Sequence, residues 1–321
     1  MADISALRRE AEDMNIYEIT NGEYSAKINL SRGANCISLR NMRYHALILR
    51  EPDYSSELDN PYLYGMPILF PVNRIDGGRF EFEGRVYRFP INEKNTNCAL
   101  HGELYCMPFQ LVEAEKDYVK CRYKTEEPYL NFPHSFQIDI EYSLGEAGLT
   151  VETTVTNFSE MNMPVFLGYH TTFNAPFVKD SGAEGLCVFA EVSDEIERNM
   201  AVYLPTGRIL PPDEISESMK NGEFNPRSIA ISRHYKSSGI GLIELRDLNA
   251  GVKVVYENDE KLNWRLFYNG NADEYICLEP QTCMANCQNA PFDRKYAGFD
   301  YIEPKASKKY WSRIFLTEIC E

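Results

Sequence analysis

Positive charge is scarce in this chain. Its 321 residues include 33 Lys and Arg against 48 Asp and Glu, a net charge of −15. Nucleic acid and anionic membranes are held by clustered Lys and Arg, so neither is an expected partner. A small neutral or cationic ligand is the better first expectation. Long apolar runs are also missing, and no stretch approaches the roughly 20 residues that cross a bilayer. The N-terminal ADISALRREAEDM is polar, not basic and then apolar, so no secretory signal is expected. Several catalytic signatures are absent. Gly77-Gly78 lacks the Lys-Ser/Thr of a phosphate loop. No Gly-x-Ser-x-Gly elbow and no His-Glu-x-x-His occurs.

Nine cysteines are present, an odd number at irregular spacing. Free thiols in a reducing cytoplasm are the expected state. Cys283 and Cys287 form the only close pair in a polar setting. No Cys-x-x-Cys and no histidine set accompanies them, so no metal site is expected there. No linker, repeat or low-complexity segment divides the chain. A single domain over residues 1–321 is expected, as a monomer or homodimer.

What the chain has in quantity is alternation and aromatic residues, with 21 Tyr and 17 Phe. Phe136, Ile138, Ile140, Tyr142 and Leu144 alternate with polar residues. After the turn Gly145-Glu146-Ala147-Gly148 the pattern resumes at Leu149, Val151, Thr153 and Val155. This is a hairpin with one buried face. Phe80 and Phe82, then Glu83-Gly84, then Val86, Tyr87 and Phe89 read as a second, tighter hairpin. Further strands are expected at 23–30, 35–39, 47–50, 118–123, 164–170, 187–191, 228–232, 241–245, 252–256, 264–267, 274–278 and 312–316. So many strands bury their apolar faces best when sheets stack or close. The expected fold is all-β, a large antiparallel β-sandwich. Short helices are expected at 6–14 and 211–221, and residues 205–225 read as a long surface loop.

Few residues offer chemistry. There are five histidines. His45, His134 and His234 read as surface or hydrogen-bonded residues, with His234 in the polar turn SRHYKSSG. His101 lies in Ala-Leu-His-Gly, where the glycine permits close approach of backbone or ligand. His170 ends the apolar run Val165-Phe166-Leu167, at a strand end where catalytic residues are often placed. A structural role remains open for both. Glu279 follows Tyr275-Ile276-Cys277-Leu278 and is expected to be partly desolvated, which would raise its pKa toward that of a general base. Arg74 either binds a ligand oxygen or pairs with Asp76, and pairing is the plainer reading. Trp264 and Trp311 read as core.

Together these segments resemble the aldose 1-epimerase (galactose mutarotase) family. The residues that carry the resemblance are NRI, DGGRFEFEGRVYRFPIN and LHG within 73–102, then GYHTTFNAPF, then ICLEPQT, in order over nearly the whole chain. GMPILFPV and the FQIDIEYSL…LTVETTVTN hairpin support it. The resemblance implies a β-supersandwich with a sugar cleft on a concave sheet face. It implies interconversion of sugar anomers without cofactor or metal. By position, Glu279 matches the general base and His170 the general acid. His101 matches a second histidine and Arg74 a sugar-binding arginine, with Asn73 beside it. There are departures. Glu103 stands where a second glycine is common, and Thr172 replaces an aromatic. The aspartate-histidine motif that holds sugar hydroxyls is missing between Pro205 and Asn271; Asp247 and Asp259 lie in unlike contexts. The alternatives are a hexose-phosphate 1-epimerase, a non-catalytic sugar-binding protein on the same fold, and an accessory domain of a lyase or glycosidase. The first would need an arginine cluster, and Arg79, Arg85 and Arg88 read as strand surface.

Overall fold

A computed structural model describes residues 15–52, 60–125 and 128–319. The expected helix at 6–14 lies outside them. The described chain is built from antiparallel sheets. One eight-stranded sheet runs in the order Gln110–Ala114, Tyr118–Lys124, Phe136–Gly145, Gly148–Asn157, Ser307–Glu318, Val252–Asn258, Ile243–Asp247 and Leu186–Ala190. A second eight-stranded sheet has Tyr275–Gln281 near its middle. On one side stand Trp264–Tyr268, Ser232–Ser237, Val192–Asn199 and Leu204–Leu210. On the other stand Thr172–Asn174, Gly168–Tyr169 and Ile68–Leu69. A four-stranded sheet of Ile16–Thr20, Tyr24–Asn29, Asn35–Asn41 and Ala46–Leu47, and three two-stranded ribbons, complete the layers.

The alternating hairpin forms in the expected register. Phe136 pairs with Asn157, and Gly145 pairs with Gly148 across a two-residue turn. Phe136, Ile138, Ile140, Tyr142 and Leu144 all face the core. Gly148 has φ +75°, and a Cβ there would lie 2.3 Å from the Ile314 carbonyl oxygen, so the turn requires glycine. Burial of these faces in one continuous cluster supplies the main drive to this arrangement.

Several expectations need correction. Residues 205–225 are not an irregular loop, for the strand Leu204–Leu210 and the helix Glu214–Asn221 occupy most of the segment. Asp213 caps that helix by accepting from the Ser216 amide at 2.9 Å, while the Ser216 hydroxyl accepts from the Asp213 amide at 2.8 Å. The strand expected at 228–232 instead starts at Ser232 and runs to Ser237. His234 is therefore not in a turn but fully buried within it, against Trp264. Trp311 is 39% exposed, because its neighbours Tyr310 and Ser312 take the inward positions of Ser307–Glu318. The expected strand at 164–170 is interrupted: Met163–Val165 pairs with Asp300–Ile302, and Gly168–Tyr169 joins the second large sheet.

Candidate active site

The two residues singled out for proton transfer are brought together by strand register. Tyr275–Gln281 is buried at every position. Along its edge Gly168 pairs with Gln281, and Thr172 pairs with Cys277. The two short strands keep one register, so His170 falls opposite Glu279. Cross-strand neighbours on one face sit close enough for their side chains to meet. His170 Nε2 lies 3.1 Å from Glu279 Oε1. The ladder opens here, and the His170 amide donates to the Pro67 carbonyl at 3.0 Å. On the far side Leu266 pairs with Glu279 and lines the same cleft.

Glu279 is 1% exposed and His170 7%. Burial pushes the Glu279 carboxyl up to about 8; a hydrogen bond from Gln281 and the charges of Arg198 and Arg74 pull weakly the other way. Burial pushes the His170 imidazole down to about 3. The resting pair is therefore a carboxylic acid beside a neutral imidazole. Glu279 Oε1 and His170 Nδ1 have no hydrogen-bond partner among the described residues. Glu279 Oε2 accepts from Gln281 Nε2 at 3.1 Å, and Gln281 Oε1 in turn accepts from Asn73 Nδ2 at 3.1 Å. That relay fixes one carboxyl oxygen and leaves the other facing His170.

Asn73, Arg74 and His101 reach the same cleft from the ribbon of Arg74–Asp76 and Cys98–Leu100. His101 Nδ1 accepts from the Asn73 amide at 3.3 Å. A neutral imidazole with Nδ1 as acceptor carries its proton on Nε2. Burial, followed by the charges of His170 and Arg74, keeps His101 well below its usual range and so neutral. Gly102 must be glycine, since a Cβ would lie 2.0 Å from the Phe70 carbonyl oxygen. Arg74 pairs with Glu93, not with Asp76: Nε and Nη2 bind the two carboxylate oxygens at 2.7 and 2.6 Å. Asp76 is exposed on the ribbon, whereas Glu93 closes over Arg74 from a loop. Burial raises the Glu93 pKa, but hydrogen bonds from Arg74 and Thr96 outweigh it and hold the carboxyl below its usual value. The Arg74 guanidinium also lies 4.6 Å from the Tyr203 ring centre.

The cleft these residues line has a volume of about 500 Å³, within the range of small-molecule sites. Tyr62 forms part of its wall, with ring centres 4.8 Å from His101 and 5.9 Å from His170. Arg198, Tyr203, Ser232 and Tyr268 line it too, and the sequence reading missed all of these. No aspartate among the described residues lines it. Asp247 accepts from the Ser181 hydroxyl, and Asp259 pairs with Lys261, both away from the cleft. Arg79, Arg85 and Arg88 are exposed on the ribbon of Arg79–Phe82 and Arg85–Arg88 and do not line the cleft.

One group of donors could hold a metal among the described residues: His170, Cys277 and Glu279 offer atoms within 4.8 Å of one another. Burial and the Glu279 charge hold the Cys277 thiol well above its usual range, and a protonated thiol is a poor ligand. Cys283 and Cys287 are free, as are the other described cysteines, and both are buried, not in a polar setting.

The sequence profile described as aldose 1-epimerase matches residues 15–302. The chain belongs to the aldose 1-epimerase family. A galactose mutarotase-like protein from Clostridium acetobutylicum superposes with a TM-score of 0.88 at 28% identity, over 94% of each chain. A putative aldose 1-epimerase from Escherichia coli K12 shares the fold with a TM-score of 0.77 at 17% identity, over 94% of this chain and 99% of that one. The LacX protein of Lactococcus lactis is 25% identical over 240 residues, 71% of this chain and 77% of its own length. The all-β reading and the family resemblance are thus borne out. No helix among the described residues is long and apolar enough to cross a membrane.

Proposed function

We propose that the protein is an aldose 1-epimerase that interconverts the α and β anomers of a sugar, with His170 and Glu279 as its proton-transfer pair. One observation carries this reading: the two groups meet at 3.1 Å and both line the cleft. In an aldose, O1 and O5 sit on the same carbon. A base and an acid a hydrogen bond apart can therefore address both at once. The pair's proton first passes from Glu279 to His170 across their 3.1 Å contact; Glu279, now a carboxylate, takes the O1 proton; the C1–O1 double bond forms as C1–O5 breaks; His170 delivers the Nε2 proton to O5. The open chain rotates about C1–C2. Reclosure returns the O5 proton to His170, while Glu279 returns its proton to O1 on the other face. The pair holds one proton before and after ring opening, so no net proton is exchanged. Burial favours the neutral arrangement that ring opening produces.

Around this pair, His101 Nε2–H and Arg74 Nη1, which bonds no described residue, serve as donors to sugar oxygens. Asn73 acts through Gln281 to aim the Glu279 carboxyl, so its contribution is positioning more than direct binding. Both transfers come from side chains, so this scheme needs no cofactor. We place the enzyme in the cytoplasm, as one domain over residues 1–321, working as a monomer or homodimer on a free sugar. Saturation-transfer NMR on a panel of aldoses tests the reading. Faster exchange than buffer for at least one sugar, lost in Glu279→Gln, supports it. No acceleration for any sugar overturns it.

A further inference from the structure

The cleft contains a cation that the proton-transfer scheme does not use. Arg198 lies on Val192–Asn199 and is 8% exposed. Its Nη2 donates to the Ser232 carbonyl, and to the Ser232 hydroxyl at 3.0 Å. Its Nε and Nη1 make no hydrogen bond, and it forms no ion pair, among the described residues. Of the described carboxylates near it, burial holds Glu279 protonated, and the others are engaged elsewhere. Glu195 is paired with Arg233 at 2.8 Å, and Glu93 is held by Arg74 and Thr96.

A guanidinium taken out of water without a carboxylate is unfavourable, which is why buried charges are normally paired. Burial accordingly pulls Arg198 down to about 10, with the Arg74 charge adding to it. The charge count of the lining points the same way. Arg74 and Arg198 are positive and Glu93 is negative. The His170–Glu279 pair with its single proton sums to zero, wherever the proton sits. Among the described residues the lining carries one net positive charge, inside a chain of −15. A neutral sugar leaves that charge unanswered.

Register locates the unanswered cation. Tyr268 pairs with Ser232 on one side and with Cys277 on the other. Arg198 is bonded to Ser232 from the next strand out. Its backbone is thus three strand spacings, ~14 Å, from the strand of Glu279, and its side chain reaches back into the cleft. Arg198 thus enters the cleft from a strand well away from the one that carries Glu279.

We infer that the substrate is an aldose bearing an oxyanion (carboxylate, sulfonate or phosphate) on the end of the ring remote from C1, and that Arg198 recognises it. Its Nε and Nη1 each keep an N–H donor for such a group, and a fixed positive charge favours an oxyanion over a hydroxyl. The inference rests on the mutarotase reading of His170 and Glu279. It also revises the expectation of a neutral or cationic ligand drawn from overall charge.

The test compares anomer exchange by saturation-transfer NMR on glucose, glucuronate, glucose 6-phosphate and a 6-sulfonate analogue, and on the galactose counterparts. Wild type is expected to turn over at least one anionic sugar with kcat/KM about 10- to 100-fold above its neutral parent. That advantage should weaken with salt, collapse toward unity in Arg198→Gln, and survive in part in Arg198→Lys. The oxyanion with the largest advantage identifies the substituent. Exchange of neutral sugars with no anionic advantage overturns the inference while leaving the mutarotase reading intact. An advantage that persists in Arg198→Gln also overturns it. Should Arg198→Gln fail to fold, the wild-type ratio and its salt dependence decide. Equilibrium binding to Glu279→Gln supplies a readout without turnover. An anionic preference there, with no exchange by wild type on any sugar, rejects the mutarotase reading alone, and no preference there rejects Arg198 as anion reader.

Discussion

Replacing Glu279 by Gln should stabilise the fold as it removes activity, and the gain should depend on pH. The physical cause is the burial that pushes the carboxyl from its ordinary 4.5 up to about 8. A folded-state pKa above the unfolded one means the native protein binds the proton more tightly. Stability from this group is then complete below about pH 4.5 and falls as pH rises toward 8. Above about pH 8 both states are ionised and the loss levels off. The gap between 4.5 and about 8, at about 1.4 kcal/mol per pH unit, is worth about 5 kcal/mol in total. Glutamine keeps the shape and one carbonyl acceptor for Gln281 but never ionises. Titrating groups outside the pair are common to both proteins and cancel in the difference, and folded His170, pushed down to about 3, stays neutral over the range used. Urea unfolding of wild type and Glu279→Gln between about pH 5 and about pH 9 reads this directly. The two stabilities should diverge steadily with rising pH, in favour of the variant, and run parallel above about pH 8. A difference independent of pH would refute the claim that Glu279 is held neutral by burial.

Three further outcomes follow from the same geometry. Activity needs one proton on the His170–Glu279 pair, so kcat/KM should be flat across neutral pH and fall above about 8, as the pair loses it; a pH–rate profile that rises through 8 would mean Glu279 acts alone. Gln281→Leu cuts the Asn73–Gln281–Glu279 relay and should lower kcat about 10- to 100-fold with little change in KM, the effect of one lost hydrogen bond to a charged group; an unchanged kcat would contradict the positioning role. Gly102→Ala places a Cβ 2.0 Å from the Phe70 carbonyl oxygen and should lower the urea midpoint markedly, because backbone and not a flexible side chain must move.

The parts of the site legible in the sequence are those whose neighbours announce their setting. Glu279 and His170 each end an apolar run, so burial could be read directly, although Glu279 lies within Tyr275–Gln281 and not at its end. Their register could not, because it depends on where the 164–170 segment breaks and resumes beside Tyr275–Gln281. Gln281 was within reach, since it lies two residues from Glu279 and so on the same face. Arg198 was hidden by its company: Glu195, Glu197 and Asn199 give the stretch a polar look, and only Ile196 marks the inward face. His234 was masked in the same way by Ser232, Arg233 and Lys236. The Arg74 partner was misjudged because Asp76 is close in sequence, whereas Glu93 arrives by tertiary folding across the ribbon. Trp311 shows the opposite lesson, for the alternation of Tyr310, Ser312, Ile314 and Leu316 already put it outward.

The most direct measurement is anomer exchange by saturation-transfer NMR, run with wild type, Glu279→Gln and His170→Asn on the neutral and anionic aldose panel. The account predicts catalysed exchange of at least one aldose by wild type and a loss on the order of 10²- to 10⁴-fold in each variant. Full activity in either variant, or no exchange by wild type on any sugar, would contradict it.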